Sequence, residues 1–208
     1  MKPAEAIGAD LKRATARLMV RCAGAAAAML IACSAALAAS PVAEPEGFRM
    51  EGYRAPVPAT LRGGRVVSAG EAADLWRAGG AIFVDVLPRP PKPELPEGTL
   101  WQEPPHFDIP KSVWLPDVGF GALSPVMERW YRDSLARLTG GDKAKLLVIY
   151  CRADCWMSWN AARRAVEWGY SNVVWFPGGT DEWEAAKLPL EERRPEMRPD
   201  AVGAGEAE

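Results

Sequence analysis

Two cysteines, Cys151 and Cys155, lie four positions apart in a segment (150–158) that reads YCRADCWMS. A thiolate is the nucleophile of cysteine chemistry, and a second thiol nearby can close a disulfide with it or resolve a persulfide or sulfenate. In a loop that curls around the first sulfur, a residue four positions on can come within disulfide range, with Cα atoms roughly 5–6 Å apart. Three interpretations stay open: functional thiol chemistry, an inert disulfide that staples the loop, and two unpaired cysteines.

An apolar run, residues 146–150 (LLVIY), precedes the cysteines, and a helical segment expected to be capped by Ser158 and to run to Trp168 follows them. Such a run is typical of a strand that is buried on both faces. We therefore expect Cys151 between a strand end and a helix N-terminus, where backbone N–H groups and the helix dipole favour a thiolate. Cys151 and Cys155 are the candidate catalytic residues.

The candidate binding residues are Arg152, Asp154, Trp156, Ser158 and His106. The charge of Arg152 favours a thiolate nearby and that of Asp154 opposes it, while Trp156 would form the floor of a pocket. His106, the single histidine, is either a surface hydrogen-bonding residue or an active-site proton carrier. Because one histidine excludes His-rich zinc and haem sites, we expect neither a metal nor a cofactor.

Two more apolar runs, residues 81–86 (AIFVDV) and 173–176 (VVWF), alternate with helical segments. One helix is expected from a capping box at Ser68. Another is expected between Ser124 and Gly140, with Val126 on its apolar side. Alternation of this kind predicts a central parallel sheet with helices on both faces, an α/β fold of three layers. Ligands bind such sheets at the carboxyl ends of the strands, and Asp85 is interpreted there as an anchor for the following loop.

Three segments lack a periodic pattern. Residues 39–62 are rich in proline and alanine and are expected to form an extended N-terminal arm rather than a packed element. Residues 88–110 contain 8 prolines in 23 residues and predict a long, stiff insert. Residues 191–208 are predicted to be a flexible tail that begins with a solvated charge run, EERR. The domain itself is expected over 63–190.

The composition bounds the class of protein. A chain of 208 residues, 49% hydrophobic, is enough for one domain with a core. A net charge of −2 argues against a nucleic-acid surface.

The N-terminus predicts export. Residues 22–39 (CAGAAAAMLIACSAALAA) follow several basic residues and contain an A-x-A cleavage pattern, which indicates a secretory signal peptide over 1–38. Residues 30–33 (LIAC) also fit a lipobox with a lipid anchor at Cys33, although soluble periplasmic export is favoured. No later segment is long enough for a membrane span.

The residues from Tyr150 to Trp183 contain motifs that resemble the second half of a rhodanese domain. They comprise Tyr150, Cys151, Ser158, Ala161, Ala162, Gly169, Tyr170, Val173, Gly178, Gly179 and Trp183. The first half agrees, since residues 83–86 (FVDV) and 109–113 (IPKSV) are similar to that family's aspartate-ending strand and Ile-Pro segment. The resemblance covers roughly residues 64–188 and implies the rhodanese-like α/β fold.

More narrowly, residues 154–162 (DCWMSWNAA), with the export signal and the proline-rich insert, resemble the PQQ-dependent catabolism-associated CXXCW-motif family. This resemblance implies a periplasmic protein associated with alcohol oxidation. A quinoprotein dehydrogenase or one of its accessory proteins is the partner that it implies.

The cysteine loop departs from the sulfurtransferase pattern Cys-x-x-Gly-x-Arg-Ser. Ser158 lies seven residues after Cys151 rather than six, the loop has no glycine, and Met157 stands where a cationic side chain is expected. Without that arginine we expect neither phosphatase activity nor efficient thiosulfate transfer. Two functions remain: an exported thiol protein with Cys151 as nucleophile and Cys155 as resolving partner, or a non-catalytic module that binds a small redox compound or a partner protein.

Overall fold

A computed structural model describes residues 42–198. The predicted signal peptide (1–38) and the alternative lipid anchor at Cys33 lie outside the described residues, as does the end of the tail from 199. In the described range, no helix is both long and apolar enough to cross a bilayer.

The apolar runs form a parallel sheet, as predicted. The strands of the described region are β1 (Arg65–Val66), β2 (Ile82–Asp85), β3 (His106–Asp108), β4 (Val113–Trp114), β5 (Leu147–Tyr150), β6 (Val173–Phe176) and β7 (Glu191–Arg193). Five of them make the main sheet in the order β1–β6–β5–β2–β4, with every pairing parallel. Strands β3 and β7 form a separate antiparallel pair.

The helices of the described region are α1 (Ala69–Ala78), α2 (Pro125–Thr139), α3 (Trp156–Glu167) and α4 (Gly179–Ala185). The expected capping box is present at the start of α1, where the side chain of Ser68 accepts from the N–H of Glu71. The expected helix start at Ser158 was wrong, because α3 begins at Trp156 with Cys155 as its N-cap residue. Val126 was also wrongly assigned to the apolar side of α2, since it is 51% exposed.

Side chains of the central strands alternate between two apolar clusters, one on each face of the sheet. On one face, Val84, Ile149 and Trp175 pack in the cluster that contains the alanines of α3. On the other face, Phe83 and Val148 belong to the cluster that contains the buried side chains of α1 and α4. Burial of both faces is the reason that these strands read as unbroken apolar runs. The three-layer α/β prediction is confirmed.

The N-terminal arm has no helix or strand in residues 42–62, as expected of an extended arm, but it packs against the domain, which corrects the expectation that it is not a packed element. The side-chain amide of Asn160 on α3, itself 0% exposed, accepts from the N–H of Arg49 at 2.9 Å and donates to the carbonyls of Arg49 and Gly119 at 2.9 Å. The indoles of Trp156 and Trp159 donate to carbonyls further along the arm. The arm therefore packs against α3 and contributes to the burial of Trp156, Trp159 and Asn160.

The C-terminal end of the proline-rich insert pairs with the segment that follows the domain. His106 lies opposite Arg193 in the antiparallel pair of β3 and β7. The structure therefore corrects two expectations, since the insert contains a strand and the tail expected from 191 begins with one. The tail is also held further on, where the N–H of Glu196 donates to the carbonyl of Trp114 at 2.9 Å.

We predict that Asn160→Ala lowers the free energy of unfolding by about 2 kcal/mol, because it leaves the buried carbonyl of Gly119 and the partly buried N–H and carbonyl of Arg49 without partners. The measurement is urea denaturation. Asn172→Ala is the matched control, since that exposed amide makes a single bond of 3.5 Å to Ala144 and its loss should change little. Equal stability losses in the two variants would contradict the assignment of Asn160 as the anchor of the arm.

Candidate functional site

The two cysteines are joined as a disulfide in the loop between β5 and α3. Cys151 directly follows β5, and Cys155 is the N-cap residue of α3. Their Cα atoms are 6.6 Å apart. Both are buried, with exposures of 0% and 2%. The pairing agrees with the predicted proximity of the two sulfurs and places them at the carboxyl edge of the sheet, next to the N-terminus of a helix.

On one side, the loop is bound to the start of α4. The carbonyl of Cys151 accepts from the backbone N–H of Thr180 at 3.0 Å and from its hydroxyl at 3.3 Å. The carboxylate of Asp181 accepts from the N–H of Ala153 at 3.2 Å and from the guanidinium of Arg152 at 2.9 Å. The guanidinium of Arg152 is therefore paired with Asp181 of α4 and does not contact the sulfurs.

On its other side, the loop is bound to the arm. The N–H of Ala55 donates to the carbonyl of Asp154 at 3.1 Å, and the N–H of Trp156 donates to the carbonyl of Tyr53 at 2.9 Å. Between these contacts, Arg54 forms an antiparallel bridge with Cys155 and its guanidinium donates to the carbonyl of Ala153 at 2.8 Å. The arm therefore lies directly over the half of the loop that contains Cys155.

Asp154 occupies the left-handed region of backbone conformation, with φ of 51°. Aspartate tolerates this region better than most residues. The side chain is exposed, and its backbone carbonyl is the acceptor for Ala55. Asp154 thus turns the loop toward the arm.

Ser158 was predicted as a cap and binding residue, but it is a buried structural group. Its hydroxyl donates to the carbonyl of Cys155 and accepts from the indole N–H of Trp175, both at 3.0 Å. Trp156 is 3% exposed and borders a cavity of about 370 Å³ whose other lining residues all belong to the arm. The predicted pocket thus lies on the arm side.

His106 and Asp85 meet at the same edge of the sheet. The Nε2 atom of His106 is 2.7 Å from the Oδ2 atom of Asp85, and the imidazole packs on the Trp114 ring with centroids 4.1 Å apart. The other oxygen of Asp85 accepts from the N–H of Leu87 at 2.8 Å. Asp85 therefore anchors the following loop, as predicted, and also holds the imidazole.

A third member of this cluster, Asp108, was missed in the sequence. Its carboxylate, 0% exposed, accepts from the hydroxyls of Tyr150 and Ser112 at 2.6 Å and from the N–H of Ile109 at 2.7 Å. Burial, together with the charge of Asp85, raises the pKa of Asp108 to about 7. Burial lowers the pKa of His106, but the hydrogen bond and charge of Asp85 outweigh it, so that this pKa is raised.

A cavity of about 460 Å³ borders the cysteine loop at Arg152 and is also lined in part by His106, Thr180 and Asp181. The structure thus brings two of the predicted binding residues, His106 and Arg152, to one cavity. Trp156 and Ser158 lie elsewhere, against the arm and in the core. Asp108 could have been found in the sequence as the acidic residue directly before the Ile-Pro segment. Asp181, which was also missed in the sequence, could have been found by its position just after the Gly-Gly turn.

Together, fold and site define an α/β protein with a cysteine loop at the carboxyl edge of a parallel sheet. A rhodanese-like domain matches residues 68–186, and the chain belongs to this family. A solved structure of an uncharacterized protein from Saccharomyces cerevisiae is similar, with 23% sequence identity over 61% of this chain and 98% of that chain and a TM-score of 0.35. Comparison with curated proteins gave no match.

We predict that Ser158→Ala costs about 2 kcal/mol of stability, because the buried indole N–H of Trp175 loses its acceptor. Thermal and urea unfolding measure the effect, and Ser171→Ala, which removes an exposed hydroxyl bonded at 3.4 Å, is the control. The rate of disulfide reduction in the folded protein should not change by more than about twofold. A stable Ser158→Ala variant with strongly altered reduction would show that Ser158 acts in the site instead.

Proposed function

We propose that this protein performs thiol–disulfide or persulfide chemistry at Cys151 and Cys155, with the disulfide as its oxidised state. The rhodanese-like domain supports a thiol-related role, and the strand-to-helix loop of Cys151 is where the family resemblance puts the nucleophile. The observation that carries the proposal is that hydrogen bonds, in addition to the disulfide, hold the loop on both sides.

Main-chain hydrogen bonds fix the loop on both sides. The carbonyl of Cys151 is bound to Thr180, the N–H of Ala153 to Asp181, and the carbonyl of Asp154 to Ala55. A disulfide that closes a ring of five residues adds only about 2 kcal/mol by restricting the unfolded chain. A disulfide that only stabilises the loop would therefore add little here, which favours a redox role for the two cysteines.

The chemistry balances as two thiol–disulfide exchanges. A thiolate of a donor attacks the sulfur of Cys151, the bond to Cys155 breaks, and Cys155 leaves as a thiolate. A second donor thiolate then attacks the mixed disulfide, which releases the donor as its own disulfide and leaves both cysteines reduced. The donor loses two electrons and the protein gains them. Because Cys155 is the N-cap residue of α3, its sulfur lies where the helix dipole favours the leaving thiolate.

Transfer of sulfur from thiosulfate is disfavoured. Met157 is 3% exposed, and no cation replaces it in the loop, since Arg152 is paired with Asp181. A dianion would therefore find no bidentate guanidinium of the kind that binds such groups well. Small thiols, persulfides or the cysteines of a partner protein fit the site better than an inorganic dianion.

We further propose that the protein acts after export, in the periplasm, as an accessory to PQQ-dependent alcohol oxidation. The N-terminal export pattern and the resemblance of residues 154–162 support this context. The partner would be a quinoprotein dehydrogenase or one of its accessory proteins.

A non-catalytic binding module is the alternative function. It is favoured by the burial of both cysteines, at 0% and 2% exposure, and by the cavity that Arg152 and His106 line without either cysteine. A small redox compound or a partner protein would then be bound at this cavity without reaction at sulfur.

We predict that protein isolated without reductant has an intact mass two hydrogens below that of the reduced chain, and that a dithiol reductant restores both thiols. Cys151→Ser should abolish the cellular phenotype that Cys155→Ser only weakens, because Cys151 is the nucleophile. The double serine variant should stay folded and lose about 2 kcal/mol of stability at most. Full cellular function in the double variant would overturn the thiol proposal and leave the binding module.

We also predict that the arm controls access to the disulfide. Ala55→Pro removes the N–H that donates to Asp154, so the arm should detach locally and reduction by a small thiol should become at least fivefold faster. Ala55→Gly keeps the N–H and is the control, with a reduction rate close to that of the wild type. Equal rates in all three proteins would show that the reductant reaches the sulfurs by another route.

A further inference from the structure

Three side chains with metal-binding atoms meet at the sheet edge beside the cysteine loop. Asp85 ends β2, while His106 and Asp108 begin and end β3. The Nε2 atom of His106 is 2.7 Å from the Oδ2 atom of Asp85 and 3.9 Å from the Oδ2 atom of Asp108. One ligand atom from each residue lies within 4.8 Å of the other two.

This cluster is unlike an exposed acidic patch, because it is buried. The side chains of Asp85, His106 and Asp108 are 1%, 13% and 0% exposed. Across residues 42–198, no lysine or arginine forms an ion pair with either carboxylate. Two carboxylates held together in a poorly solvated place are compensated by protons or by a cation, and the imidazole supplies at most one charge. A single divalent ion would compensate both carboxylates at once.

The ligand atoms are oriented by neighbours outside the cluster. Hydrogen bonds from Leu87 to Asp85, and from Tyr150, Ile109 and Ser112 to Asp108, fix the carboxylate planes. The ring of Trp114 fixes the imidazole. Outer contacts of this kind are characteristic of metal sites, where they orient the ligands and tune their affinity.

We propose that Asp85, His106 and Asp108 bind one divalent transition-metal ion, with Zn²⁺ as the best fit. Zinc accepts imidazole nitrogen at 2.0–2.1 Å and carboxylate oxygen at about 2.0–2.2 Å, so its tetrahedral ligands lie roughly 3.3 Å apart. The two distances from His106 lie on either side of that value and need to change by about half an ångström each. Three protein ligands leave a fourth position for water or an anion, and His106 borders two cavities, of about 520 and 460 Å³.

The proposed site differs from the expectation that the protein binds no metal, which was based on the presence of a single histidine. One imidazole and two carboxylates are a sufficient ligand set, and the ligands come from two strands that are distant in sequence. The proposal does not depend on the chemistry of the two cysteines, because neither sulfur is a ligand.

The test is titration of the chelator-treated protein with Co²⁺ and Zn²⁺, followed by absorption spectroscopy, calorimetry and metal analysis. We expect one ion per chain, with the intense d–d bands of tetrahedral Co²⁺ and no thiolate-to-cobalt charge-transfer band. The Cys151→Ser, Cys155→Ser double variant should bind equally well. This separates failure of the metal proposal from failure of the thiol proposal.

The ligand variants Asp108→Asn and His106→Gln should each weaken binding at least tenfold. His106→Gln is the safer of the two for folding, because its side chain is partly exposed, and circular dichroism checks both variants. Asp117→Asn, which alters a half-buried aspartate outside the cluster, should bind as the wild type does. Absence of stoichiometric binding, unchanged affinity in a folded His106→Gln variant, or a thiolate charge-transfer band would overturn the proposal.

Discussion

The parallel register between β2 and β5 is the constraint on which the site depends. It places Asp85 opposite Tyr150, so that the residues after them, Val86 and Cys151, emerge side by side at one edge of the sheet. The register continues one bond further, where the N–H of Val86 donates to the carbonyl of Tyr150 at 2.9 Å. A slip by one residue would turn every side chain of the strand to the other face. The two buried clusters, one on each face, exclude such a slip, and the core thereby fixes the position of the cysteine.

Tryptophan side chains solve a problem that the proline-rich segments create. Proline has no N–H to give to a sheet, so these segments cannot be held by strand pairing alone. Instead, indole N–H groups donate to main-chain carbonyls in or beside them. The pairs are Trp76 with Pro110, Trp114 with Leu87, Trp156 with Pro56, Trp159 with Thr60 and Trp183 with Pro189. The high tryptophan content of the chain therefore has a structural reason, and each indole combines an apolar body in the core with a polar contact at its edge.

The sheet and the cysteine position were predictable from sequence because both depend on local pattern. Continuous apolar runs indicate strands buried on both faces, and a cysteine directly after such a run must lie at the carboxyl edge. The arm and the pair β3 and β7 were not predictable in this way. Their contacts join residues that are far apart in sequence, as between Arg49 and Asn160. Many of the acceptors are main-chain carbonyls, which every residue type has, so no residue type in the sequence marks the contact. Asp108 was missed for the same reason, because its partner Tyr150 is 42 residues away and meets it only in the folded chain.

The location of Cys155 links the redox state of the loop to the position of the arm. Cys155 belongs at once to the disulfide, to the N-terminus of α3 and to the bridge with Arg54. The hydrogen bonds of the loop persist on reduction, but the backbone of Cys155, which the arm binds directly, loses the restraint of the disulfide, so reduction should weaken docking of the arm. Because coupling between two equilibria is reciprocal, release of the arm must by the same amount favour reduction. A partner that displaces residues 53–55 would therefore promote reduction as well as expose the sulfurs, which gives a buried disulfide a route to selective reaction.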